Sequence, residues 1–156
     1  MRRASVMMAA AACLLGVCGQ VWAADTDTIT VTVSLEAVIS VSVSPNTWNI
    51  GAIALSGTNG PQSFTATVGN SATKLEIMGS NGAGGWTIGA TPGADRFVVA
   101  VTSPAITLTT AYQTLEASVA AYGSKGFDLT YSAPVSDTKG GGVDQSCVVT
   151  LKASAP

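Results

Sequence analysis

The chain has 156 residues, of which only 10% are charged, and a formal net charge of −2; an ordinary globular protein carries about 25% charged residues. This length suits one domain with a real core. The slightly acidic balance, without a basic cluster, argues against nucleic acid as a partner, and the absence of His removes the commonest general base and the commonest metal ligand together.

At the N-terminus, Arg2 and Arg3 precede an apolar run from 6 to 17, and Val21-Trp22-Ala23 fits a small-x-small cleavage site. Residues 1–23 therefore read as a secretory signal peptide, cleaved after Ala23. A lipoprotein signal ending at Cys18 is a rival, but Val17 is bulky where a small residue is wanted. An uncleaved anchor would need about 20 apolar residues, more than this run offers. Residues 24–156 are then a single exported domain with no membrane span after cleavage, in the periplasm, at the cell surface or outside the cell. Cys13 and Cys18 leave with the signal, so the exported chain keeps Cys147 alone and has no internal disulfide.

Residues 28–43, TITVTVSLEAVISVSV, alternate almost without fault. Ile29, Val31, Val33, Leu35, Ala37, Ile39, Val41 and Val43 would share one face of a strand. As one strand the stretch would reach roughly 50 Å, against a usual length of about 17–20 Å. Either it bends and passes from one sheet to a second, or part of it extends beyond its own domain.

Pro45-Asn46 ends that stretch, and 47–51 (TWNIG) reads as a short strand with Trp48 and Ile50 inward. A loop at 56–61 is followed by alternating strands at 62–68 and 74–78, with Phe64, Ala66, Val68, Leu75 and Ile77 facing in. Trp86 and Ile88 open a further strand; 96–102 carries Phe97, Val99 and Val101 on one face; 106–110 follows Pro104. Residues 115–121 read equally as a strand or a helical turn. Phe127, Leu129 and Tyr131 alternate in 126–132, and the last strand covers 145–153, with Cys147 in phase with Val149 and Leu151. Nothing holds a helical period over ten or more residues. Short strands with Gly, Pro and Asn turns predict an all-β antiparallel sandwich of about eight strands, one of them a long N-terminal strand.

Three segments carry a resemblance: VSVSPNTWNIG at 41–51, GGWTIGATPGADRFV at 84–98 and FDLTYSAP at 127–134. Together they resemble a group of largely uncharacterised exported bacterial proteins with an immunoglobulin-like β-sandwich. The resemblance implies a surface or extracellular location and no known activity. In that group the final strand reads as plain alternating Thr and apolar residues, so Cys147 is a departure that favours a core role. The general plan is also similar to exported sandwich subunits that polymerise by lending a strand to a neighbour.

The residues that could carry chemistry are few. The carboxylates are Asp25, Asp27, Glu36, Glu76, Asp95, Glu116, Asp128, Asp137 and Asp144, each in a polar or turn context. A glycosidase would need two of them facing across a cleft. Asp137 with Asp144, or Asp25 with Asp27, could serve calcium, but neither pair belongs to a calcium-loop pattern. Gly140-Gly141-Gly142 lacks the Lys-Ser/Thr of a phosphate loop. Cys147 has no His to activate it as a nucleophile. Trp48, Trp86, Phe97 and Phe127 are expected in the core rather than on a sugar-stacking face.

The reading is thus of a non-enzymatic structural protein without a cofactor or metal. Its candidate assembly strand is Ile29, Val31, Val33 and Leu35, and its partner is another copy or another surface protein. The alternative is a module for extracellular polysaccharide that uses Tyr112 and Tyr122.

Overall fold

The computed structural model describes residues 29–139 and 144–156. The chain divides into two compact units, Met1–Ser34 and Leu35–Pro156. The predicted signal peptide, Thr28 and the Gly140–Gly142 run lie outside the described residues. Of the first unit only 29–34 is described, and it carries no regular strand.

The second unit is all-β, with no helix among its described residues. Nine strands form two sheets: β1 (Val41–Ser44), β2 (Thr58–Val68), β3 (Thr73–Gly79), β4 (Thr87–Ile88), β5 (Arg96–Val101), β6 (Ile106–Thr107), β7 (Gln113–Val119), β8 (Ser124–Ser132) and β9 (Val149–Ser154). One sheet runs β1-β2-β8-β5-β4, with β6 also on β5; the other runs β7-β3-β9. All pairs are antiparallel except β4 with β5.

The two sheets share one core in a sandwich-like arrangement. Phe64, Ala66 and Val68 of β2 and Phe127, Leu129 and Tyr131 of β8 meet Leu75 and Ile77 of β3 and Leu115 and Val119 of β7. Period-two alternation puts these side chains on the inner faces. Phe64 stacks on Phe127 at 5.7 Å between ring centroids, and Phe97 stacks on Tyr131 at the same distance. Each fully buried aliphatic or aromatic side chain contributes about 1.5–3 kcal/mol by leaving water.

Four expectations are corrected. The long strand over 28–43 is not formed among its described residues; only Val41–Ser44 is a strand, because only there does the chain find a ladder partner, Thr65–Val68 of β2. The stretch 47–51 forms no strand, although Trp48 and Ile50 do pack against the core. The loop expected at 56–61 largely belongs to β2, which begins at Thr58 and absorbs Gly60-Pro61 as a register irregularity between Asn59 and Gln62. The ambiguous segment around 115–121 resolves as the strand β7, and the last strand starts at Val149 rather than Gln145.

Candidate functional site

The candidate assembly residues are all exposed: Ile29 is 91%, Val31 78%, Val33 76% and Leu35 84% accessible. Four large apolar side chains at alternate positions in water are a marked departure from ordinary surfaces, where such residues are scattered singly. Downstream, the chain is caught by one side chain. Asn70 Oδ1 accepts from the Val38 N–H at 2.6 Å, and Asn70 Nδ2 donates to the Glu36 carbonyl at 3.0 Å. The Gly69 N–H then donates to the Ser40 carbonyl at 3.1 Å, and the β1 ladder begins.

The sheets end in edges that differ in how well they are finished. On β7, the inward Leu115 and Val119 are buried. On β9, Val149, Leu151 and Ala153 stand opposite Gly79, Ile77 and Leu75, so they face the core, yet all three are only half-buried. Val41 and Val43 of β1, opposite Val68 and Ala66, are likewise half-buried. β1 and β9 lie close together, so the incompletely covered part of the core is on one side of the molecule.

A polar knot ties the opposite edge of the larger sheet. The Asp95 carboxylate accepts from the Thr138 N–H at 2.6 Å and from the Thr138 hydroxyl, and Lys139 Nζ stands 3.9 Å away. The Thr138 bonds, helped by Lys139, hold the Asp95 carboxyl below its usual range. Asp137 Oδ1 accepts from the Trp86 indole N–H at 3.1 Å and from the Lys139 N–H at 2.8 Å. Gln145 Oε1 reaches the Trp86 N–H, at 3.5 Å. These bonds fasten the turn before β5 to residues 136–139, which accounts for the polar groups without invoking a substrate. Asp137 and the exposed Asp144 do not form a cation cage, and among the described residues no group of three metal-ligating side chains comes together.

Two further carboxylates are paired with lysines, while Asp25 and Asp27 lie outside the described residues. Glu76 sits between Lys74 at 3.0 Å and Lys152 at 3.2 Å, and Glu116 pairs with Lys125 at 2.8 Å; each is held below the ordinary carboxylate range by these lysines. The described residues line concavities of two kinds. One, of about 10 Å³, lies among Trp86, Phe97, Tyr131, Gln145 and Cys147 and holds at most a water. The other is an open depression over Ser63, Thr65, Ser103, Lys125 and Asp128.

Phe97 and Phe127 are buried in the core, whereas Trp48, Trp86 and Cys147 are partly buried and packed against it. Trp48 meets Phe64 edge-on at 6.3 Å. Burial pushes the Cys147 thiol up, and that of the Tyr131 phenol up to about 12. Tyr112 and Tyr122 flank β7 at its two ends, so they make no continuous platform; Tyr112 instead lies under Lys152, whose Nζ is 5.2 Å from the ring centroid.

No family model, curated protein or solved structure matches this chain. What sequence patterning missed is the contrast between the two sides of the molecule: Val149, Leu151 and Ala153 alternate just as Leu115 and Val119 do, and only packing tells the covered edge from the open one.

Proposed function

We propose that this chain is an exported, non-enzymatic structural protein, an immunoglobulin-like antiparallel β-sandwich that joins to further copies of itself, or to another surface protein, through its N-terminal segment. One observation carries the reading: Ile29, Val31, Val33 and Leu35 alternate and are all exposed. An extended segment of this kind is what strand addition to an open sheet edge requires, with main-chain bonds supplying affinity and alternate side chains filling the surface beneath. Burying each of the four on a partner is worth up to about 1.5–3 kcal/mol. Donor segment and acceptor edge are different surfaces, so the contact runs head to tail and, unless it closes, grows into a filament.

Export rests on the signal-like residues 1–23 and on the resemblance to exported sandwich proteins. The non-enzymatic reading is supported by carboxylates engaged in lysine pairs or in the Asp95–Thr138 knot. The polysaccharide alternative keeps only single tyrosines at opposite ends of β7 for stacking.

The test is light scattering and negative-stain microscopy of the chain from Ala24, beside the same chain lacking residues 25–35. Assemblies in the first and monomers in the second are expected. A compact monomer in both at high concentration overturns the proposal.

A further inference from the structure

We propose that β9 is the edge that receives the segment, taking residues 29–35 of a second copy alongside Val149–Ser154. This rests on the strand-donation reading and specifies where the donated strand goes.

The first argument is the direction of the backbone groups. The Ser80 N–H donates to the Val148 carbonyl at 2.8 Å, and Gly79, opposite Val149, turns its N–H away, to the Thr109 carbonyl at 2.9 Å. Hydrogen-bonded and non-bonded pairs alternate along an antiparallel ladder. Thr150, Lys152 and Ser154 therefore point their main-chain groups at β3, and Val149, Leu151 and Ala153 point theirs at the open edge. Among the described residues no strand pairs with that edge, and the three residues that turn N–H and C=O groups toward it are the same three whose side chains face the core and are only half covered.

The second argument is what guards the edge. Edge strands are usually blunted by a charge, above all Lys. Lys152 is the one charged residue of β9. Its ammonium is drawn back across the sheet to Glu76 at 3.2 Å and over the Tyr112 ring, which leaves the rim of β9 without a charged side chain.

The third argument is the fit of the occupant. Apolar residues at 29, 31, 33 and 35 repeat with the same two-residue step as Val149, Leu151 and Ala153, so one register serves every side chain along the joint. β1 is a poorer acceptor: it is four residues long against six, and its line continues into the stretch held by Asn70. β7 is poorer still, since its inward residues are already buried.

The experiment is complementation between two variants of the full chain from Ala24. One, Val31→Asp with Val33→Asp, cannot donate. The other, Leu151→Pro, loses an outward N–H while keeping every bond to β3. Each alone is expected to stay monomeric, and an equal mixture to give one-to-one dimers that do not grow. Amide exchange on the unmodified assembly gives a second readout, independent of how the proline variant folds: Val149, Leu151 and Ala153 are expected to exchange at least tenfold more slowly than in the chain lacking 25–35. Assembly that survives Leu151→Pro, or unchanged exchange at these three amides, overturns β9 as acceptor. Protection at Val41 and Val43 instead moves the joint to β1 and leaves strand donation standing. Assembly that survives the donor variant overturns strand donation itself.

Discussion

Asn70 holds the main chain of Val38: its side-chain oxygen accepts from the Val38 N–H at 2.6 Å while its amide donates to the Glu36 carbonyl at 3.0 Å. One side chain thus does the work of a strand partner three residues before the ladder of β1 begins at Val41. Asn70→Ala removes both bonds, and a net loss of about 1 kcal/mol is expected. Amide exchange would show Val38 speeding up while Leu75 and Ile77, in the core, stay protected.

The contrast between buried and exposed leucines is sharper. Leu75→Ala empties a fully buried site and is expected to cost about 2–5 kcal/mol in urea unfolding. Leu35→Ala, at an exposed site, is expected to change the stability of the isolated protein by less than about 0.5 kcal/mol, yet to weaken assembly as measured by light scattering.

Acid should loosen the fold in a defined window. The carboxyl of Asp95 is lowered by Thr138, that of Glu76 by Lys74 and then Lys152, and that of Glu116 by Lys125. A lowered folded-state value means that the unfolded chain takes up protons first, so the stabilisation is complete above the unfolded carboxylate pKa and is lost as pH falls through the folded value. The urea midpoint is expected to hold level from neutral pH down to about 5 and to fall below about 4. Asp95→Asn should reduce that acid dependence without moving its position.

Gly60 is set at φ +105°, where a side chain is strained, and a Cβ there would lie 2.7 Å from the Leu129 carbonyl oxygen. Gly60→Ala is expected to cost about 1–3 kcal/mol, read as a lower thermal midpoint, whereas Gly126→Ala, where a Cβ meets nothing within 4 Å, should be close to neutral.

Cys147 should behave as a packing residue. Its thiol is raised by burial, and the thiolate is the reactive form. Labelling by a maleimide at neutral pH is expected to be at least about tenfold slower in the folded protein than in urea. Fast labelling of the folded chain would contradict the packed geometry.

Much of the core was legible in the sequence, because period two leaves little freedom: Phe64, Ala66 and Val68, or Phe127, Leu129 and Tyr131, can share a face only if the chain is extended. The same rule over-reached at 28–43. Alternation states which face is apolar, but a strand also needs a partner for its backbone, and only Val41–Ser44 has one in β2. Gly60-Pro61 misled in the other direction, since two turn-forming residues sit inside β2 as an irregularity. The candidate site was half legible. The exposed segment could be named from its pattern, whereas the half-covered β9 edge depends on which strands stand beside it, and strand order is not written in any local run of residues.

The order of the strands also governs how the molecule comes into being. Ile77 is paired to Leu151, and Glu76 to Lys152, so the central strand of the smaller sheet waits for β9, far along the sequence. Closing so long a loop is entropically costly and slow. A nascent chain halted anywhere before Val149 would hold β3 with one flank bare and its core unsealed, easy prey for a protease. Resistance to digestion should therefore arrive abruptly, once β9 has docked on β3.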